Sequence, residues 1–371
     1  MRGICMTIAL ATLFTPPSSW AQGDSLSVDQ VVDRYIAATG GVENIKALRN
    51  LVYSEGLYSE GDYKGKGDAS MSLGRPYFKL VGNPDDPGDY MEGYDGAAWE
   101  WYADPGIVVR TVGEPSKAIR HYAGVEHPLV NYRAKGSTAT LKGEDVLDGR
   151  LVVVIELIRR DSFLEQFYID EESWLIVGSS FAAPIHAFGD DVFSLTRISD
   201  YRPVAGVLIP HRFVFVEMPS GRETGSMLWG RIEANRELRD DWFSPPTRER
   251  TLLQAFIEQL YQQRSDIESV MWTYHEFRLA NPQLDTSDAV NVAGFQTLKM
   301  GAVEQAIALL QQNVQDYPES ANSRFGLGRA LRSGGRFEEA RTQFERALAI
   351  DPEHPRAKTA LDEMNSARNG D

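Results

Sequence analysis

Residues 287–320, SDAVNVAGFQTLKMGAVEQAIALLQQNVQDYPES, and residues 321–354, ANSRFGLGRALRSGGRFEEARTQFERALAIDPEH, are two copies of one thirty-four-residue pattern. Gly294, Gly301, Ala306, Leu310 and Pro318 recur as Gly328, Gly335, Ala340, Phe344 and Pro352, always at the same offset. Each residue type has a task in a helix–turn–helix hairpin. Gly294 and Ala306 are small enough for two helices to pack closely, and Gly301 belongs in the turn between them. Pro318 ends the second helix, because proline cannot continue the hydrogen-bond ladder. Hairpins of this kind stack into a solenoid, which usually offers a surface to other molecules rather than a catalyst.

Helical periodicity extends outward from this pair. Leu252, Leu253, Phe256, Ile257, Leu260 and Tyr261 form one apolar stripe, and Ile267, Val270, Met271, Tyr274 and Phe277 form the next. The second ends at Asn281-Pro282, thirty-six residues before Pro318, so it reads as a degenerate first hairpin that caps the array. Residues 355–364 read as the solvating helix at the other end. An all-α repeat domain over 247–371 follows.

Upstream of Trp242-Phe243-Ser244-Pro245-Pro246 the period changes. From Leu48 to Asn235, short segments alternate apolar and polar residues between Gly, Pro and Asp. The runs are 51–58, 69–73, 77–81, 97–102, 107–111, 151–159, 163–169, 175–182, 192–201, 207–216 and 224–234. Asp148-Gly149 is a strong two-residue hairpin turn. An amphipathic helix is expected over 26–38, N-capped by Ser27 and stopped by Gly40-Gly41, with one or two short helices between Pro115 and Arg133. About eleven antiparallel strands in succession predict a meander curled into a half-barrel over 22–246, so the fold class is α+β.

Residues 1–21 read as an export leader. Arg2 precedes an apolar run over 4–14, Pro16-Pro17 breaks it, and Ser19-Trp20-Ala21 suits cleavage before Gln22. The run is too short to span a bilayer, and no transmembrane segment is expected in the mature chain. The only cysteine, Cys5, lies inside this leader, which excludes disulfides and Cys–zinc sites and offers no lipid-anchor cysteine at the cleavage point. A periplasmic or secreted location is expected. The net charge of −15 disfavours nucleic acid and anionic lipid surfaces as partners.

The repeats resemble tetratricopeptide repeats: Leu327-Gly328, Leu331, Ala340, Phe344, Ala347 and Pro352 fall where that motif expects them, with Arg324 in place of its Trp. The strand region resembles the LolA-like family of periplasmic lipoprotein carriers and their sorting-protein relatives. Three stretches carry that likeness: Val31-Val32-Asp33-Arg34-Tyr35 with Ala38-Thr39-Gly40-Gly41; 143–150 with 166–170 and Trp174-Leu175; and 200–211. The resemblance implies a curved antiparallel half-barrel around a helix, with an apolar cavity for acyl chains and no catalytic residues.

Tyr77, Trp99, Trp101, Phe167, Trp174, Phe213 and Phe215 supply side chains suited to such a cavity. Burial of acyl chains there yields about 0.8 kcal/mol per methylene. The alternative is that they fill a closed core. In the repeat groove, Asn291, Phe295, Leu298 and Lys299, then Asn322, Phe325, Arg329 and Arg332, are the expected inward positions. Asn and Arg there suit the backbone or carboxylate of an extended peptide. His121 and His127 are wrongly spaced for a metal on one helix face, His186, His211, His275 and His354 are isolated, and the acids Asp85, Asp86 and Asp89 lack a calcium-loop pattern. GxSxG elbows and phosphate loops are absent from the sequence. The expectation is an exported, cofactor-free, non-enzymatic protein that binds a lipid-like ligand in the half-barrel and a protein partner at the repeats. The alternative is a scaffold acting only through the repeat surface.

Overall fold

The computed structural model describes residues 26–60, 63–64, 69–82, 91–102, 107–184, 191–218, 220–246, 251–264 and 266–369. The expected leader, the acidic loop at Asp85–Asp89 and His186 lie outside them.

Helix α1 (Val28–Ala38) starts at a reciprocal cap. Ser27 Oγ accepts from the Gln30 N–H, and Gln30 Oε1 accepts from the Ser27 N–H, so two otherwise orphaned donors are satisfied. A short α2 (Val42–Ala47) follows. The chain then forms β1 (Leu51–Glu60), β2 (Tyr63–Lys64), β3 (Ala69–Leu73), β4 (Phe78–Val81), β5 (Met91–Tyr94), β6 (Ala98–Tyr102) and β7 (Ile107–Arg110). After α3 (Glu114–Tyr122) come β8 (Thr138–Leu147), β9 (Arg150–Ile158), β10 (Leu164–Asp170), β11 (Ile176–Pro184), β12 (Asp191–Val204), β13 (Val207–Glu217) and β14 (Arg222–Ala234).

All fourteen strands join one antiparallel sheet in the order β7-β6-β5-β4-β3-β1-β14-β13-β12-β11-β10-β9-β8, with β2 paired to β1. Two meanders are thus stitched together by β1 and β14. The sheet curves but does not close, since its edges β7 and β8 are unpaired among the described residues. Three strands exceed the expected count. β2 has two residues and β5 four, too few to show a period. β8 is an edge strand whose alternation, Ala139 and Leu141 facing the core, breaks at a bulge between Leu141 and Gly143. Asp148 and Gly149 both take positive φ, 52° and 77°, as the β8–β9 hairpin requires.

The concave face is filled from one end by helices. Val31, Val32 and Tyr35 of α1 pack on Val153, Ile155, Leu157, Phe167 and Ile169. Ile45 of α2 and Leu48 pack on Leu51, Tyr53, Ile209 and Trp229. Helix α3 bridges the two meanders: Ala118 meets Phe163 and Phe181, and Ile119 meets Phe78 and Ala98. Each fully buried side chain of this kind contributes about 1.5–3 kcal/mol.

The helical array comprises α4 (Leu252–Gln262), α5 (Ile267–Ala280), α6 (Ser287–Lys299), α7 (Val303–Asp316), α8 (Ala321–Ser333), α9 (Phe337–Ile350) and α10 (Pro355–Asn369). Gly301 and Gly335 stand in the hairpin turns at φ 81° and 74°, where a side chain would be strained. The array docks on the sheet through Val109 of β7, which packs with Leu253, Ile257, Ala289 and Val292. That contact covers an otherwise open sheet edge.

Candidate functional site

Strand alternation sorts the seven candidate aromatics onto two faces. Phe78, Tyr94 and Ala98 are register partners and pack on α3, so they mark the inner face. Lys79, Gly93 and Trp99 form the next row and therefore point outward, as does the row Val81, Met91 and Trp101. Trp99 Nε1 donates to the Phe243 carbonyl at 3.1 Å, and Lys79 Nζ donates to the Trp242 carbonyl at 3.2 Å. Tyr77 stacks on Phe243 with ring centroids 5.4 Å apart. Tyr77 and Trp99 thus clip the segment leaving the sheet domain onto its outer surface, while Trp101 packs with Val81, Met91 and Val108. None of the three faces a concave cavity.

The other four aromatics cluster at two places. Phe167 is buried beneath α1 and lies edge-on to His127 at 4.7 Å, and His127 lies edge-on to Tyr35 at 5.1 Å. Burial, with Arg159 and Lys135 nearby, holds the His127 imidazole well below its ordinary pKa. Its Nδ1 accepts from the Leu129 N–H at 3.3 Å, as a neutral ring can. Trp174 is half-buried, with the Arg34 guanidinium 4.5 Å above its ring.

Phe213 and Phe215 remain half-buried on the inner face. The register sets Ile198, Phe213, Met227 and Tyr58 directly side by side across β12, β13, β14 and β1. Met71 and Leu80 continue the apolar surface on β3 and β4. The seven aromatics chosen from the sequence leave out Ile198, Met227 and Tyr58. The hairpin turns at Ala205-Gly206 and Ser220-Gly221 fix the registers that bring them together.

Polar groups also line this interior. Glu92 and Glu100 are cross-strand partners on the inner side, both buried, and Glu100 Oε2 accepts from Thr111 Oγ1 at 2.8 Å. Arg159 pairs with Glu165 at 2.7 Å, and His121 Nε2 lies 3.0 Å from Asp161. Among the described residues, no group of three or more His, Cys, Asp and Glu is placed to hold a metal ion.

In the array, the expected groove residues divide as well. Asn291 is buried and accepts from Asn313 Nδ2 at 3.2 Å, so it belongs to an internal polar network with Ser287 and Ser323. Asn322 is exposed beside His354 at 3.1 Å, and the Lys299 carbonyl lies against Gly113 of the sheet domain. Phe295, Phe325, Arg329 and Arg332 are brought together. The Arg329 guanidinium lies 5.1 Å above the Phe295 ring and 5.9 Å above Phe325, while Arg332 pairs with Glu363 at 2.8 Å. A pocket of about 150 Å³ opens between α8 and α10, lined by Phe325, Arg329, Arg332, Arg356, Thr359 and Glu363. Arg356 and Thr359 come from the segment that the sequence presents only as a solvating helix.

Residues 297–363 match the sequence model of the tetratricopeptide repeat. No curated protein matches the chain. Among solved structures, the chain is similar to a LolA superfamily protein from Nitrosomonas europaea, at 12% identity over 60% of this chain and 99% of that one, with a TM-score of 0.37. It is also similar to a DUF1329 family protein from Desulfovibrio piger, at 12% identity over 58% and 97% of the chains, TM-score 0.36. A third is an outer membrane lipoprotein-sorting protein domain from Vibrio parahaemolyticus, at 9% identity over 59% and 97%, TM-score 0.35.

Proposed function

We propose that this is an exported binding protein whose curved sheet takes a lipid-like ligand on its inner face, while the helical repeats dock a protein partner. The observation that carries the reading is the apolar row of Ile198, Phe213, Met227 and Tyr58, in which Met227 is buried and the other three are half-buried. It continues the apolar surface on which α1, α2 and Leu48 pack. An acyl chain laid along it would exchange water for methylene contact at about 0.8 kcal/mol per CH₂. The Arg329, Arg332 and Arg356 pocket has the charge and donor geometry to receive a carboxylate from a peptide. No catalytic role is assigned to any residue, and no cofactor is invoked. Displacement of an apolar fluorescent probe by fatty acids tests the sheet site: Phe213→Asp should abolish probe binding, and undiminished binding would remove the row from the account.

A scaffold reading is favoured by one observation, the close packing of buried Phe167, Ile155 and Val153 beneath α1. Charge reversal by Arg329→Glu with Arg332→Glu separates the two. A carrier so altered keeps its ligand and loses its partner, whereas for a scaffold there is no ligand to keep.

A further inference from the structure

Helix α5 buries Val270, Thr273 and Tyr274 and stacks Phe277 on Phe256 of α4, with ring centroids 4.1 Å apart. Its orientation is therefore fixed, and its opposite face is open. Trp272 is 64% exposed and Leu279 76%, and His275 and Glu276 between them are exposed as well. The spacing 272, 275, 276, 279 is that of a seam along which one helix packs on another. Among the described residues the sheet domain does not use this face, and the expected repeat groove lies on other helices.

We propose that this seam joins two copies of the chain, α5 against α5, antiparallel about a two-fold axis between His275 and Glu276. In that arrangement Trp272 of each copy lies opposite Leu279 of the other, and His275 lies opposite Glu276. A two-fold interface must be complementary to itself, and this stripe is: a large ring meets a branched aliphatic, and an imidazole meets a carboxylate. Met271 and Ala280 stand opposite each other beside the seam and extend the apolar contact. A membrane is the poorer occupant. The face carries Glu268 and Glu276, and a chain of net charge −15 is repelled by anionic lipid. The docking of the array on β7 through α4 and α6 leaves α5 outermost, so two whole chains can approach.

Sedimentation equilibrium of the full chain tests this. A dimer is expected at tens of micromolar, and Trp272→Ala should weaken it by about tenfold or more, as removal of a central aromatic usually does. Circular dichroism should show that variant folded, since the ring is mostly exposed. Register is tested by charge. His275→Glu places carboxylates opposite each other and Glu276→Lys sets an ammonium against the imidazole in place of its carboxylate partner, so each variant alone should sediment as a monomer. Mixed in equal amounts, they should form a heterodimer, because the new carboxylate then meets the new ammonium while Glu276 still meets His275. A monomeric parent chain, a dimer indifferent to Trp272→Ala, or a mixture that stays monomeric would each overturn the proposal.

Discussion

The aromatic ring of Phe344 occupies the space that a side chain on Gly328 would need: a Cβ there would lie 2.5 Å from the ring. The same relationship holds one repeat earlier, between Gly294 and Leu310 at 2.6 Å. Phe344 is wholly buried against Ala330 and Ala347, so it has little room to retreat. Replacing a mid-helix glycine by alanine gains about 1 kcal/mol of helix propensity, but overpacking a filled core costs about 1–3 kcal/mol. Gly328→Ala is therefore expected to lower the melting temperature despite the better helix former. An unchanged or raised Tm would mean that the hairpin is looser than its geometry.

His127 makes stability depend on pH. Its pKa is depressed in the folded chain, so between that value and the ordinary one near 6.5 the unfolded chain binds more protons. Stability is then full above about pH 6.5 and falls as the pH drops below it. His127→Gln retains an acceptor for the Leu129 N–H but does not titrate. Urea denaturation of the parent chain from pH 7 to 5 should show the steeper decline, and parallel slopes would remove His127 as the cause.

Trp99 and Phe213 should part company on substitution. Trp99→Phe deletes the donor to the Phe243 carbonyl on the outer face, at a cost of about 1–3 kcal/mol if that carbonyl is left unsatisfied. Probe binding should be unaffected. Phe213→Ala should show the reverse balance, with a modest loss of stability and a clear loss of probe affinity. Equal effects of the two on binding would return the outer-face aromatics to the ligand site.

Asn313 donates to the Ser287 carbonyl, Asn291 Oδ1 and Ser323 Oγ inside the array. Asn313→Leu removes the side-chain donor that Asn291 Oδ1 and Ser323 Oγ share inside the array, and a loss of about 1–3 kcal/mol is expected in thermal unfolding. Peptide capture at the Arg329 pocket should survive at temperatures where the variant remains folded.

The repeat is legible in the sequence because Gly328, Phe344 and their echoes are locked to each other at short range, so their spacing survives as a period. Strand number is less legible. The edge strand β8 has a neighbour on one side only and tolerates Thr138, Lys142 and Asp145, while two-residue β2 is shorter than any period. The candidate site is legible in composition but not in direction. Trp99 and Phe213 look alike as aromatics in alternating runs, yet one faces out and the other in. What decides between them is the side on which α3 lies, a long-range fact fixed when Ile119 meets Phe78 and Ala98. The repeat pocket fails for a related reason: Arg356 and Thr359 join Arg329 only through helix stacking.

The central claim is that the inner face around Phe213 holds a lipid-like molecule. A native mass spectrum of the full chain, purified without detergent, tests it most directly. The account predicts an adduct of lipid mass that is extractable into organic solvent and missing from the Phe213→Asp variant. A spectrum of the bare polypeptide alone, with no adduct after incubation with fatty acid or phospholipid, would contradict it.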